Sequence, residues 1–413
     1  MPEVKPIAET FAKIKVVGIG GAGGNAVNRM VEEGIQGVEF IAINTDVQAL
    51  HNNKADIKLH IGKTVTRGLG AGMNPELGRQ AAEESQSEIR DLLKGSDMVF
   101  ITCGLGGGTG TGAAPLIAEI AKDLGALTIA VVTKPFSFEG GQRKRIADRG
   151  YDDLSAQVDT IITVANEKLL TIIDKKTSLL DSFRIADNIL RQGVQGIAEI
   201  ITVPGIVNAD FNDVRAIMAN TGSALMGIGQ ATGENKAEEA VRAAINSNLL
   251  ETSINGAKGI VFTITGGTDL SMMEVSEAAR IISSLADEDA KIIFGAVIDD
   301  RLKDELKVTI VATGFNDRER VANNFSPTEI STPAYTPSNF VKREENRKKA
   351  EVKKEEVKET KNTSLNFSWF EKKEKPELKA ELTRPTVKPQ IKKTDDEEDE
   401  ELSVPAFIRK KMM

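Results

Sequence analysis

The sequence predicts an α/β fold: a parallel, doubly covered sheet, a long central helix, and a second, smaller α+β unit. Three patterns carry that expectation. Short apolar runs alternate with helix-like stretches between residues 14 and 165, as they do when crossover helices link parallel strands. From Ser178 to about Val203 the apolar residues then recur at helical spacing. Beyond that helix, strand-like and helix-like segments alternate again to about residue 318, where the pattern dissolves.

Taken in order, Ile14 to Gly18 is a short strand running into a glycine cluster, and Asn25 to Glu33 is helix-like. Val38 to Ile43 is the second strand, followed by Asn44-Thr45-Asp46. Pro75 to Lys94 reads as one long polar helix with apolar positions at Leu77, Ile89, Leu92 and Leu93. Asp97 to Cys103 is a strand entering a second glycine cluster, and Ala113 to Leu124 is the next helix. Leu127 to Thr133 and Thr160 to Ala165 complete the strand set. Ligands of such sheets bind beyond the carboxyl ends of the strands, and both glycine clusters lie at that edge.

The long helix carries Leu179, Leu180, Phe183, Ala186, Ile189, Leu190, Val194, Ile197 and Ile201 at its apolar positions, and Pro204-Gly205 stops it. The second unit has strand candidates at Ser223–Ala231, Gly259–Thr265, Lys291–Ile298 and Lys307–Thr313. Helix candidates lie between them at Lys236–Asn246 and Ser271–Leu285. After Phe315 the chain is dominated by Lys, Glu, Pro, Ser and Thr and reads as a disordered linker. Within it, Lys/Arg and Glu interleave over 341–361, a pattern that supports a transient single helix, and 394–401 is an acidic block. Trp369, with Phe367 and Phe370, is an apolar island there, either incidental composition or a weak binding motif. Leu402-Ser403-Val404-Pro405-Ala406-Phe407-Ile408 regains apolar character, as a docking peptide on a flexible tail does.

The expected divisions are therefore a flexible segment 1–12, a first α/β domain 13–177, the helix 178–204, a second domain 205–318, a linker 319–401 and a docking peptide 402–413. Composition narrows the function. The formal net charge of −8 disfavours nonspecific nucleic-acid binding. Cys103 is the only cysteine, so no disulfide forms within the chain, and it reads as a small core residue. The two histidines, His51 and His60, have no metal-ligand spacing. No stretch reaches the roughly 20 apolar residues of a membrane span, and the expectation is a cytoplasmic protein without direct membrane insertion.

The chemistry concentrates in the glycine loops. Gly18-Ile19-Gly20-Gly21-Ala22-Gly23-Gly24-Asn25 satisfies G-x-G-x-x-G and reads as a Rossmann-like phosphate turn, although a ligand-free strand-to-helix turn has the same spacing. Gly104-Leu105-Gly106-Gly107-Gly108-Thr109-Gly110-Thr111-Gly112 is more telling, with six glycines and two threonines between a strand and a helix. A turn does not need so many glycines, each of which costs backbone entropy. Successive N–H groups with interspersed hydroxyls make a cradle for a di- or triphosphate. No Lys follows Gly110, so this is not a Walker loop.

Residues 106–112, Gly-Gly-Gly-Thr-Gly-Thr-Gly, resemble the hallmark of the tubulin superfamily, and the resemblance to its FtsZ family of division proteins extends over 13–316 and again over 402–411. The resemblance implies GTP and GDP as ligands, with Mg²⁺ on the phosphates and no fixed protein cage for it. It places Gly20, Gly21, Ala22, Gly23, Gly24 and Asn25 in the first nucleotide loop. Asn44-Thr45-Asp46 and Ala71, Gly72 and Met73 would flank the phosphates. Gly104, Gly107, Gly108, Thr109, Gly110 and Thr111 would form the main phosphate loop, with Glu139 and Arg143 at ribose and phosphate and Asn166 at the sugar and base. Phe183 and Asp187 correspond to the base-contacting pair. Four residues apart, they share a helix face; one can stack on a purine while the other accepts from the N1–H and amine of guanine. Without the resemblance, Phe183 reads as core packing.

The nucleotide half offers no obvious general base beside these loops. Asn208-Ala209-Asp210-Phe211-Asn212-Asp213, after the long helix, is the candidate. Two carboxylates three apart at a helix start are, in most proteins, an N-cap and a dipole partner. The resemblance implies instead that Asn208, Asp210 and Asp213 enter the pocket of the next subunit and act on the attacking water, in a head-to-tail homopolymer at the mid-cell division ring. It also implies that Pro405, Phe407, Ile408 and Arg409 bind a membrane-tethering anchor and division regulators, at the end of a linker of about 80 residues that spans roughly 50 Å. Two other readings stand beside this one. An NAD-dependent enzyme would use Gly18, Gly20 and Gly23, but needs an acid where Asn44 stands and leaves residues 106–112 unexplained. A GTP-dependent scaffold that does not hydrolyse would not need Asn208, Asp210 and Asp213.

Overall fold

The computed structural model describes residues 12–170, 177–203, 205, 207–247, 253–299 and 301–315. The expected linker and docking peptide, including Trp369, Pro405, Phe407, Ile408 and Arg409, lie outside these residues.

The first half builds β1 (Ile14–Ile19), α1 (Gly20–Glu32), β2 (Val38–Asn44), α2 (Val47–His51), β3 (Ile57–His60), α3 (Pro75–Glu84), α4 (Gln86–Leu93) and β4 (Met98–Gly104). It continues with α5 (Thr109–Asp123), β5 (Leu127–Lys134), a single 3-10 turn (Ser137–Glu139), α6 (Gly141–Ser155), β6 (Thr160–Ala165) and α7 (Asn166–Leu169). Then come α8 (Leu179–Thr202), α9 (Phe211–Met218), β7 (Gly222–Thr232), α10 (Lys236–Ile245), β8 (Gly259–Gly266), α11 (Met272–Ser283), β9 (Lys291–Ile298) and β10 (Glu305–Thr313).

The strands form one 10-stranded sheet in the order β3-β2-β1-β4-β5-β6-β7-β10-β8-β9. From β3 to β7 every neighbouring pair is parallel; β10 then runs antiparallel between β7 and β8. The smaller α+β unit is thus joined to the first by more than the long helix. Thr160, Ile161 and Ile162 of β6 pair in register with Gly222, Ser223 and Ala224 of β7.

Alternate residues of the parallel strands face two separate cores. Val16, Phe100, Ile129 and Ile162 pack with Met30 of α1 and Ile189, Val194 and Ile197 of α8. Val17, Ile101, Val132 and Ile161 pack on the other side with Ile89, Ile117, Ala121 and Leu154. A third core, with Val241, Phe262, Ile282 and Val308, sits under α10 and α11. Cys103 is fully buried, and that burial pushes its thiol up to about 12.

Several expected boundaries move. The stretch 75–94 is two helices, because Ser85 leaves the helical region at φ −104°, ψ 16°. The break lets Ala81 and Ala82, then Ile89 and Leu93, all turn into the same core beside α5. Helices α1 and α5 start inside the glycine clusters rather than after them. The elements β3, α2 and α6 appear where no regular pattern was read. Helix α8, 24 residues and about 36 Å long, starts at Ser178, whose hydroxyl accepts from Asp181 N at 3.1 Å. It ends at Thr202, ahead of Pro204, which lies outside the described residues.

Candidate functional site

Loops leaving β1, β4 and β5 converge beyond the carboxyl edge of the sheet on a cavity of about 320 Å³. Gly21 and Ala22 line it from the first turn of α1, and Gly104, Gly107, Gly108, Thr109 and Gly110 from the loop after β4. Gly72, Glu139 and Arg143 close one part, and Asn166, Phe183 and Asp187 another.

The loop after β4 has a shape that only glycine allows at two points. Gly106 sits at φ +99°, and a Cβ on Gly108 would fall 2.5 Å from the Gly72 carbonyl oxygen. Helices α1 and α5 both begin at the cavity with no side-chain cap and no acidic residue in the first turn. Their leading N–H groups and positive dipole ends are therefore available to an anion. Among the described lining residues Arg143 is the one cation, and it pairs with Glu139. Glu139 is itself fixed by accepting from Phe136 N at 2.9 Å. Backbone dipoles thus carry most of the positive field, as suits a polyphosphate held without a loop lysine.

The other end of the cavity is apolar on one wall and rich in acceptors on the next. Phe183, 40% exposed, meets Phe136 edge-on with centroids 5.7 Å apart, and Phe136 stacks on Phe138 at 5.0 Å. Ser137 fastens this turn by donating its N–H and hydroxyl to Glu167 at 2.8 and 2.7 Å, which hold the Glu167 carboxyl below its ordinary value. One helical turn beyond Phe183, the half-buried Asp187 has its carboxyl pushed up to about 6 by burial, against the opposing pull of Arg29. Asn166 Oδ1 is buried with no hydrogen-bond partner. Unsatisfied buried acceptors are costly, so this end is built for a ligand with adjacent N–H donors. Guanine has them at N1 and the C2 amine; adenine has an acceptor at N1 and no amine at C2.

Not every sequence-predicted residue lines the cavity. Gly20, Gly23, Gly24 and Asn25 do not; a Cβ on Gly23 would meet Thr102 O at 2.3 Å, so this glycine seats α1 on the sheet. Gly24 gives its carbonyl to Asn53 Nδ2 at 2.9 Å. Thr111 is buried and accepts from Gly106 N at 2.9 Å, bracing the phosphate loop from behind. Ala71 is buried beside Gly108. The sequence reading missed Ile19, Leu105, Thr133, Pro135 and Ala186, which also line the cavity. Thr133 was findable, since it ends the strand expected at Leu127 to Thr133, which pairs with β4. A larger depression of about 640 Å³ lies between α3, α5 and α6, but among the described residues no buried unpartnered polar atom lines it.

Asn208, Asp210 and Asp213 are elsewhere. Asp210 caps α9, accepting from Asn212 N at 3.2 Å, and Asp213 is exposed in its first turn. Asn208 spends its amide on the loop, accepting from Gly205 N at 2.6 Å and donating to Val203 O at 2.8 Å. Ala209 N donates to Ile200 O near the end of α8, while Arg215 reaches Gly125 O ahead of β5. This segment therefore lies at the amino edge of the parallel strands, opposite the cavity. The eight residues of β5 alone span about 26 Å.

Two family models match the chain: Tubulin/FtsZ family, GTPase domain, over residues 13–174, and FtsZ family, C-terminal domain, over 222–316. Among solved structures, an empty FtsZ dimer from M. jannaschii is 49% identical, with a TM-score of 0.73, covering 75% of this chain and 90% of its own. A GTPgS-bound protofilament of CetZ2 from Haloferax volcanii is 21% identical at a TM-score of 0.63, covering 75% and 96%. GDP-bound CetZ1 from the same organism is 22% identical at 0.64, covering 75% and 97%. The CetZ likenesses speak to the fold alone. With half its residues shared with the M. jannaschii protein over three quarters of its length, the chain belongs to the FtsZ family of tubulin-like GTPases.

Proposed function

We propose that this GTPase polymerises head to tail and hydrolyses GTP at the junction between copies, where the Asp210 segment of one closes the cavity of the next. The observation that carries the reading is the placement of cavity and acidic segment on opposite edges of one sheet. A chain so built has half a site at each end. Heterologous contacts of that kind propagate into filaments. The cavity edge is also dressed for contact, since Val47, Leu69 and Phe138 there are 48%, 86% and 60% exposed. The M. jannaschii relative, seen as a dimer, fits the same reading.

In this mechanism Asp187 accepts from guanine N1–H and amine, with Asn166 Oδ1 as a second acceptor and Phe183 against the ring. The N–H groups of Gly21, Ala22 and Gly107 to Gly110 take the phosphates, with Arg143 and Glu139 at their rim. Among the described residues no three His, Cys, Asp or Glu side chains cluster for a metal. Thr109 and Thr133 offer hydroxyl oxygens at the cavity, donors of the kind Mg²⁺ accepts when substrate phosphates supply most of its ligands. Bound there, Mg²⁺ would offset phosphate charge. Asp210 and Asp213 of the incoming copy polarise the water that attacks the terminal phosphorus, and Asn208 holds their loop in shape. Residues 402–413, through Pro405, Phe407, Ile408 and Arg409, tether the filament to a membrane anchor and to regulators at the division ring.

Light scattering and phosphate release, followed together after adding GTP and Mg²⁺, test the proposal. Both signals should appear above a common protein concentration. Asp210→Ala should still bind GTP and lose about 10²-fold in turnover. Thr109→Arg should lose its own GTP, and mixing the two variants should restore turnover. Concentration-independent turnover without rescue in the mixture would put the whole site in one chain.

A further inference from the structure

Asp159 is 6% exposed at the amino edge of the sheet, just ahead of β6 and remote from the nucleotide cavity. Its Oδ2 accepts from Thr128 N at 2.9 Å at the start of β5, and its Oδ1 accepts from Asn220 N at 3.3 Å in the turn leaving α9. Its backbone joins the same segments, donating to Thr128 O at 2.9 Å and accepting from Gly222 N at 3.0 Å. Lys122 covers the group from solvent, 3.8 Å from Asp159 Oδ1 and 3.4 Å from Asn220 Oδ1. Asn220 is held at φ +53°, a left-handed conformation that Asn tolerates and most residues resist. Next to it, Thr160 Oγ1 donates to Met218 O at the end of α9.

We propose that Asp159 is a positioning residue for hydrolysis: it pins the carboxyl end of α9 to the sheet and thereby fixes where Asp210 and Asp213 stand. The inference rests on the shared-site reading above. Helix α9 has eight residues, about 12 Å, with Asp210 at its amino end and the Asp159 contacts just past its carboxyl end. A tilt at the Asp159 end displaces the acids while leaving the cavity of the same chain untouched. Only a carboxylate serves both Thr128 and Asn220, because an Asn in its place has one acceptor oxygen and an amide that donates. Displacement by an ångström is enough to matter, since misplaced catalytic groups lose on the order of 10²-fold in rate.

The test uses the full chain carrying Asp159→Asn. GTP affinity should match the parent, and turnover above the assembly threshold should fall tenfold or more, with KM little changed. The variant should be defective only as a donor of the acid. Mixed with Thr109→Arg, which keeps an intact α9, it should regain turnover; mixed with Asp210→Ala, it should not. Lys122→Ala, an exposed partner of the same ring, should show this asymmetry at smaller amplitude, and carries the test if Asp159→Asn fails to bind GTP. Parental turnover in Asp159→Asn, or rescue by neither partner with Lys122→Ala indistinguishable from the parent, overturns the inference. If the reference pair Asp210→Ala and Thr109→Arg shows no rescue, the shared-site reading itself falls, and this inference with it.

Discussion

The hydroxyls of Thr45 and Thr109 lie 2.6 Å apart, both buried, and join the end of the second strand to the head of the phosphate loop. Thr66 strengthens the link by donating to Gly62 O at 3.0 Å, within reach of Thr45 O at 3.4 Å. Thr109 lines the cavity and Thr45 does not, so Thr45 bears on the cavity through its partner.

Thr45→Val keeps the shape and removes the partner, leaving the Thr109 hydroxyl buried and unpaired. The expected cost is about 1–2 kcal/mol of folding stability, read from the urea midpoint. GTP affinity should drop several-fold, because Thr109 no longer has one preferred orientation. Thr45→Ser, which restores the hydroxyl, should recover most of both. Equal GTP affinity in the Val and Ser variants would show that the pair has no bearing on the nucleotide.

Asp187 gives a pH dependence with a definite sign. Burial raises its carboxyl from 3.8 to about 6 in the folded chain. Between these values the folded state keeps a proton that the unfolded state has lost, so stability falls as pH rises from about 4 through 6. At 1.36 kcal/mol per unit the loss reaches about 3 kcal/mol in the protein without nucleotide. Asp187→Asn escapes it, and its urea midpoint should exceed the parent's at pH 7.5 but not at pH 4. The same change should weaken GTP by about 1–3 kcal/mol, and in the parent GTP affinity should decline as pH falls below about 6. A destabilised Asn variant at pH 7.5, or equal parental affinity for ATP and GTP, would contradict the assignment of Asp187 as a carboxylate held for guanine.

Gly78 tests how the phosphate loop keeps its shape. It lies on α3, outside the cavity lining, yet a Cβ there would fall 2.3 Å from Gly108 O and 3.0 Å from Thr109 Cα. Helix α3 thus packs directly on the backbone of the cavity loop proposed to take the phosphates. Gly78→Ala should cost about 1–3 kcal/mol through overpacking, despite the helix propensity it gains. It should also weaken GTP and GDP together, without changing the preference for guanine. Retained affinity at reduced stability would mean that the loop adjusts independently of α3.

What the sequence made legible follows from which signals were physical and which were only spacing. Strands such as Thr160–Ala165 and Lys291–Ile298 were read at their observed bounds because short, β-branched apolar runs have one way to be buried. The starts of α1 and α5 were misread because glycine is a turn residue by propensity, while here it supplies the first helical turn facing the cavity. Helix α6 buries only Ala147, Gly150 and Leu154, too sparse a stripe to register among its charges. At the cavity the glycines were legible from their own pattern, and Phe183 and Asp187 only through the family resemblance, whereas Ala186 and Pro135 were not, since small lining residues carry no chemistry of their own. Asp159 was invisible for another reason. Its partners Thr128 and Asn220 lie 31 and 61 residues away and offer backbone N–H groups, which every residue has.

Leu69 separates assembly from nucleotide binding. Its side chain is 86% exposed in the loop between β3 and α3, an apolar group left in water on the cavity edge. The backbone beneath it is well held: Leu69 N donates to Thr66 O at 3.1 Å and its strand-like bridge is to Asp46. Folding gains almost nothing from such a side chain, so Leu69→Glu should change stability by no more than about 0.5 kcal/mol. It does not line the cavity, and GTP affinity of the dilute protein should be unchanged. If this edge meets the next copy, the substitution removes apolar burial and adds a charge opposite the acidic Asp210 segment. The protein concentration at which scattering and phosphate release begin should then rise about tenfold, the equivalent of 1.4 kcal/mol per contact. Leu69→Lys should raise it less, because the new charge is complementary to Asp210 and Asp213. Unchanged thresholds in both variants would place the junction between copies on a different face of the molecule.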